Sequence, residues 1–151
     1  MFCGILTGLL QRDPKPNTIV VAVETKGAAS FAASFESDTL TSIPSIDSIA
    51  KSLGARQVSQ ATLNLSREYG REKIRSLIVS DRQALDGVKH FANQYRMLVE
   101  PACGASVITA FDPLLLKAVV PELTSSSKVV VEVCGGFQVD LGLIDGWDSQ
   151  V

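Results

Sequence analysis

The sequence has little of what would make several common functions legible. Histidine occurs once, at His90, beside Lys89 on a stretch with helical spacing and with no partner that would suggest catalysis or metal binding. The three cysteines, Cys3, Cys103 and Cys134, are far apart. No pair has zinc-site spacing, and an odd number makes a poor disulfide framework, so reduced thiols and a cytoplasmic setting are expected. No basic run exists, and the formal net charge is -2, so a nucleic-acid backbone or an anionic membrane has no footprint to grip. No segment approaches the ~20 apolar residues that span a bilayer. The apolar opening Phe2 to Leu10 lacks the basic lead and small-residue cleavage site of a signal peptide. No Gly-x-Gly-x-x-Gly follows a strand, which argues against a doubly wound nucleotide binder. Repeats and low-complexity linkers are absent.

What remains is a chain of 151 residues, 46% hydrophobic and 20% charged, the size and composition of one well-buried domain. Phe2, Ile5, Leu6, Leu9 and Leu10 have helical spacing, closed by the loop Asp13 to Asn17. Thr18 to Val23 is a β-branched run suited to a strand covered on both faces. Helices are expected over Ala28 to Phe35, Ser45 to Leu53 and Ser59 to Tyr69, with a second strand at Ser76 to Val79. Ser80 and Gln83 form a capping-box pattern that opens a helix carrying Ala84, Leu85, Val88, Phe91 and Ala92 on one face. An apolar helix, bent or divided at Pro113, is expected over Ala105 to Val119. A third buried strand is expected over Lys128 to Cys134, broken by Gly135-Gly136. Strands alternating with helices predict an α/β fold: three layers, a mostly parallel sheet with helices on both faces. Its ligand would sit at the carboxyl ends of the strands, near Glu24 to Ser30, Ser80-Asp81 and Cys134 to Gly136.

Periodicity alone leaves the ligand unspecified. Six strings narrow it: Phe2 to Leu6; Val23 to Thr25 with Gly27 to Ala33; Ser48 to Ala55; Val79 to Asp81; Leu98 to Ala105; and Val131 to Gly136. In this order they resemble the catabolic L-serine/L-threonine dehydratases (serine ammonia-lyases), which share the pyridoxal-phosphate fold type II of the tryptophan synthase β chain. The resemblance implies conversion of L-serine to pyruvate and ammonia, or of L-threonine to 2-oxobutanoate and ammonia, in amino-acid catabolism and gluconeogenesis. It implies a small-molecule amino-acid substrate, a pyridoxal 5′-phosphate cofactor and a homodimeric full-length form.

The resemblance also covers only the C-terminal part of such an enzyme's large domain, residues 1–151. It places a glycine-rich phosphate loop just upstream of the residues matching Phe2-Cys3-Gly4, and the Schiff-base lysine further upstream. None of Lys15, Lys26, Lys51, Lys73, Lys89, Lys117 or Lys128 has that lysine's neighbours. No catalytic residue is therefore assigned, and the chain alone is expected to be inactive. An incomplete parallel sheet should also expose edges and aggregate. The alternative is a non-catalytic paralogue that binds or dimerises with a complete dehydratase.

By the same resemblance Cys134, Gly135 and Ser52 contact the cofactor. The Cys134 thiol faces the pyridine nitrogen, where related threonine deaminases and serine racemases carry serine, so it favours the serine branch. A thiol with a reference pKa of about 8.5 is no dependable anion at neutral pH, and would leave that nitrogen largely unprotonated. Read without the family, Cys134 is a small hydrophobe at a strand end. Glu24, Ala28, Ser30, Leu53 and Ala55 are assigned by resemblance to a monovalent cation, potassium, whose hardness suits oxygen donors. Alternatively Glu24 caps the following helix. Glu100 is either a helix-start acid or a site residue, and Cys103 is read as a helix-packing residue.

Overall fold

Residues 20–25 alternate between two apolar environments, and this alternation sets the architecture. The computed structural model describes all of residues 1–151. Strand β1 (Val20–Thr25) pairs in parallel with β2 (Ile74–Val79), in register from Val20 opposite Ile74 to Thr25 opposite Val79. Val20, Ala22 and Ile74 face a cluster with Leu6, Phe31 and Tyr69. Val21, Val23, Leu77 and Val79 face the opposite cluster, with Ala84, Ala105 and Ile108. The first cluster draws on α1 (Phe2–Arg12), α2 (Ser30–Ser37) and α3 (Gln60–Tyr69). The second draws on α4 (Asp81–Tyr95), α5 (Pro101–Phe111) and α6 (Pro113–Val119). Helices thus cover both faces of a small parallel sheet, the three-layer α/β arrangement expected, with two strands.

Several elements differ from the sequence expectation. β1 begins at Val20 and not at Thr18, because the Thr18 carbonyl accepts the Tyr69 hydroxyl at 2.7 Å and ladder pairing starts at Val20. Ala28 to Phe35 divides into a single tight turn, Lys26–Ala28, followed by α2. Ser45 to Leu53 is not a helix; only Lys51–Leu53 forms a 3₁₀ turn. Its polar groups bond elsewhere: the Asp47 amide donates to the Gly27 carbonyl, and the Ile49 amide donates to Asp81. The apolar stretch after Glu100 starts helical at Pro101, and Pro113 divides it into α5 and α6, whose axes meet at 89°. No single helix is long and apolar enough to cross a membrane.

Lys128 to Cys134 is not a strand. The sheet order is β1-β2 only, and this segment runs without a ladder partner, so Val130 is 92% exposed and Val129 52%. A strand exists only through its neighbours' hydrogen bonds, and an apolar run without one stays irregular. A further helix, α7 (Leu141–Asp148), was not expected. Asp140 caps it by accepting the Leu143 amide at 2.8 Å, and Ile144 and Trp147 pack against Leu85, Val88 and Val99.

The Ser80–Gln83 capping box forms as expected and opens α4. α4 and α5 then cross at Gly87 and Gly104. A Cβ on Gly87 would lie 2.1 Å from the Gly104 carbonyl oxygen, and one on Gly104 would lie 2.1 Å from that of Ala84. Only glycine permits two helix backbones to approach so closely.

Candidate active site

The carboxyl ends of both strands carry polar residues that organise the adjoining loops. At the end of β1, both Glu24 carboxylate oxygens accept α2 amides, from Phe31 and Ala32, each at 2.8 Å. Glu24 therefore caps α2. Burial pushes its carboxyl above the usual range, opposed by these two backbone bonds. Next along β1, Thr25 Oγ1 lies 2.8 Å from Ser48 Oγ. The Ser48 hydroxyl donates to Asp81 Oδ1 at 2.5 Å, and the Ile49 amide donates to Asp81 Oδ2 at 3.0 Å. The segment leading to Ser52 is thereby tied to the ends of both strands.

The N-terminus of α5 supplies the opposite wall. Glu100 occupies the N-cap position, yet its carboxylate makes no capping bond, and Pro101 takes the first helical position. Glu100 is thus a helix-start acid by position, one that makes no side-chain cap. Glu100 also lines two adjoining clefts. One, of about 250 Å³, is lined by residues that include Ser48, Ser52, Glu100, Gln138 and Trp147. The other, of about 410 Å³, is lined by Glu100, Cys134, Gly135, Gly136, Phe137 and Gln138. Glu100 and Gln138 border both.

Cys134 is exposed at the second cleft, so it is no buried strand-end hydrophobe. Its thiol donates to Met1 Sδ at 3.3 Å. Partial desolvation pushes its pKa up, and Cys103, Glu132 and Glu100 add to the effect. After it, Gly135 takes φ +141°, open to glycine and strained for other residues. Gly136 leaves no space for a side chain: a Cβ would lie 2.6 Å from Val99 Cα.

Ser52 lines the first cleft, and Cys134 and Gly135 line the second; the two clefts share Glu100 and Gln138. Glu24, Ala28 and Ser30 sit together, buried where β1 passes into α2. They line neither cleft. Leu53 and Ala55 lie on the loop after the 3₁₀ turn, where the Ala55 amide occupies the Leu53 carbonyl at 2.9 Å. His90 is exposed and stacks on Phe111. Every cleft residue after Gly136 escaped the sequence reading, Gln138 and Trp147 among them. The only signal for Trp147 was the Asp140 cap followed by Leu141, Ile144 and Trp147 at helical spacing; Gln138 had none.

A two-strand parallel sheet covered on both faces by helices defines a small three-layer α/β domain. The family model described as pyridoxal-phosphate dependent enzyme matches residues 1–135, and the chain belongs to this family. Within it the similarity is to serine dehydratases. A mouse protein named serine dehydratase-like is 38% identical over 138 residues, covering 90% of this chain and 41% of the relative. Human L-serine dehydratase/L-threonine deaminase is 33% identical over 153 residues, covering 100% of this chain and 45% of the relative. The solved structure of a fungal L-serine ammonia-lyase from Rhizomucor miehei superposes with a TM-score of 0.87 at 33% identity, covering 97% of this chain and 45% of that one. The chain thus spans less than half the length of these proteins.

Proposed function

We propose that this chain forms the Cys134 side of the cofactor site of a pyridoxal-phosphate-dependent L-serine ammonia-lyase, and is inactive alone. The observation that supports this best is a pair of neighbouring clefts with two residues in common. Ser52 on one side and Cys134 with Gly135 on the other border clefts joined through Glu100 and Gln138. Pyridoxal phosphate, when bound, supplies an electron-withdrawing ring that makes the substrate α-proton removable.

The residues present fit such a ring. The Cys134 thiol, its pKa raised, stays protonated at neutral pH and, released from Met1, would offer a hydrogen to an unprotonated ring nitrogen. The Gly135-Gly136 backbone presents no side chain that would block a flat ring. Ser52 offers a hydroxyl from the facing loop. None of the seven lysines has the setting of a cofactor-anchoring lysine, so proton removal and covalent anchoring are assigned to a portion beyond residues 1–151.

Protection of Cys134 from iodoacetamide by pyridoxal 5′-phosphate tests the reading, with alkylation read by peptide mass. Protection of Cys134 but not of Cys3 is expected, with no stoichiometric borohydride-reducible lysine adduct and no pyruvate from L-serine. Equal alkylation with and without cofactor contradicts the assignment. So does a stoichiometric adduct, for example on Lys51, which borders the first cleft.

A monovalent cation at Glu24, Ala28, Ser30, Leu53 and Ala55 is part of the same proposal. The fit is chemical: a buried carboxylate without a cationic side chain, each of its oxygens retaining a lone pair after bonding one α2 amide. Potassium should raise the unfolding temperature above that in N-methylglucamine at equal ionic strength. Equal temperatures count against a bound ion.

A second reading, a non-catalytic partner of a complete dehydratase, is favoured by the unpaired segment 128–134 and its exposed valines. Co-elution with a complete dehydratase and no cofactor protection of Cys134 would select it.

A further inference from the structure

We propose that Cys103 is a positioning residue, whose buried thiol sets the orientation of the Cys134 turn at the mouth of the clefts. Packing alone does not describe its contacts. Cys103 Sγ donates to the Gly135 carbonyl at 3.3 Å and accepts the Gly135 amide at 3.5 Å. The same carbonyl accepts the Glu100 amide at 3.1 Å. Gly136 rests against the Val99 and Glu100 backbone with no room for a Cβ. The first turn of α5 therefore grips the residues just after Cys134 at several points, and Cys103 alone serves both polar groups of Gly135.

A thiol is a weak donor and a weak acceptor at one atom, which suits a peptide unit turned so that its N–H and C=O both face the helix. A methyl group would fill part of the space and leave both Gly135 groups without this partner. The arrangement also bears on Cys134 directly. The titratable groups facing it are Cys103 and Glu100 from α5 and Glu132 from its own segment, and all act to keep the thiol protonated. The Met1 thioether completes the surroundings. As a statement about cofactor binding this rests on the function proposed above; the geometry of the turn does not.

The test uses the full chain without cofactor. Alkylation of Cys134 is followed by peptide mass from about pH 6 to about pH 11, in the wild type and in Cys103→Ser and Cys103→Ala. The wild-type midpoint should lie above that of a free cysteine peptide. Cys103→Ala should lower the midpoint and raise the rate near neutral pH about threefold or more. Cys103→Ser, which keeps a donor and an acceptor, should stay nearer the wild type. An unchanged profile in Cys103→Ala, or identical profiles in the two variants, overturns the proposal. Should Cys103→Ala fail to fold, amide exchange in the unaltered chain decides. The Gly135 amide should exchange about tenfold or more below the free-peptide rate, and exchange at that rate overturns the proposal. Repeating the series with pyridoxal 5′-phosphate separates the two readings. Expected profiles without cofactor protection leave the role of Cys103 standing and remove the cofactor assignment.

Discussion

Ser48 Oγ donates to Asp81 Oδ1 at 2.5 Å, joining the irregular segment after α2 to the first turn of α4. The same hydroxyl lies 2.8 Å from Thr25 Oγ1 and accepts the Ala50 amide at 3.0 Å, so one serine links both strand ends to the loop that carries Ser52. Asp81→Ala leaves the Ser48 hydroxyl and the Ile49 amide without their acceptor. The expected cost is about 2–3 kcal/mol, measured by denaturant unfolding. A loss below about 0.5 kcal/mol would show that water replaces the carboxylate freely.

Glu24→Gln turns an amide NH₂ toward an α2 backbone N–H where a carboxylate oxygen had accepted it. A loss of about 1–2 kcal/mol at neutral pH is expected. Because burial raises the Glu24 pKa in the folded state, the folded wild type takes up a proton before the unfolded chain does as pH falls. The wild type gains relative to the neutral variant through that window, so the gap between them should widen on acidification. A gap that narrows contradicts the pKa direction.

Gly87→Ala and Gly104→Ala each place a methyl against a carbonyl oxygen of the opposing helix. Neither helix can rotate away without breaking the cluster of Leu85, Val88, Val99 and Cys103. Each variant should lose about 1–3 kcal/mol or more in denaturant unfolding. A thermal shift within error in both would show that the helices separate at little cost.

Asp148 accepts hydrogen bonds from Lys89 and Arg82, which hold its carboxyl below the usual carboxylate range. These bonds fasten the end of α7 to α4. Their contribution is present above the unfolded aspartate pKa of about 4 and is lost as pH falls through the lower folded value. Asp148→Asn should loosen α7 even at neutral pH, read as a red shift in Trp147 emission, Trp147 being the single tryptophan. High salt should produce part of the same shift.

Val130 and Phe137 are almost wholly exposed, at 92% and 102%. Val130→Lys and Phe137→Asp should reduce self-association in sedimentation velocity and change unfolding by less than about 0.5 kcal/mol. A large loss of stability from either would mean that these side chains pack in solution.

The parts of the fold legible in the sequence were those with local causes. Ser80 and Gln83 cap α4 across three residues, and the apolar face of α1 repeats within one short segment, so neither needs distant information. The misread segments depend on partners far along the chain. Ser45 to Leu53 has helix-compatible spacing, but Thr25 and Asp81 bond the Ser48 hydroxyl, and Asp81 also the Ile49 amide. Lys128 to Cys134 has strand composition and no strand beside it. The site divided in the same way. Ser52 and Cys134 came from resemblance and line two neighbouring clefts, whereas the bond from Cys103 to Gly135 spans 32 residues and leaves no local pattern. Trp147 was missed because α7 was missed, and Gln138 because it lies in the irregular segment before that helix.

The crossing of α4 and α5 at Gly87 and Gly104 has one more consequence. With main chain resting on main chain there, no side-chain size sets the gap between the two rods, so substitution elsewhere on their faces has little means of adjusting it. Glu100, one turn before Gly104, sits on a fixed lever. Reshaping the clefts would therefore have to come from the loop bearing Ser52, from the segment 134–138 or from α7.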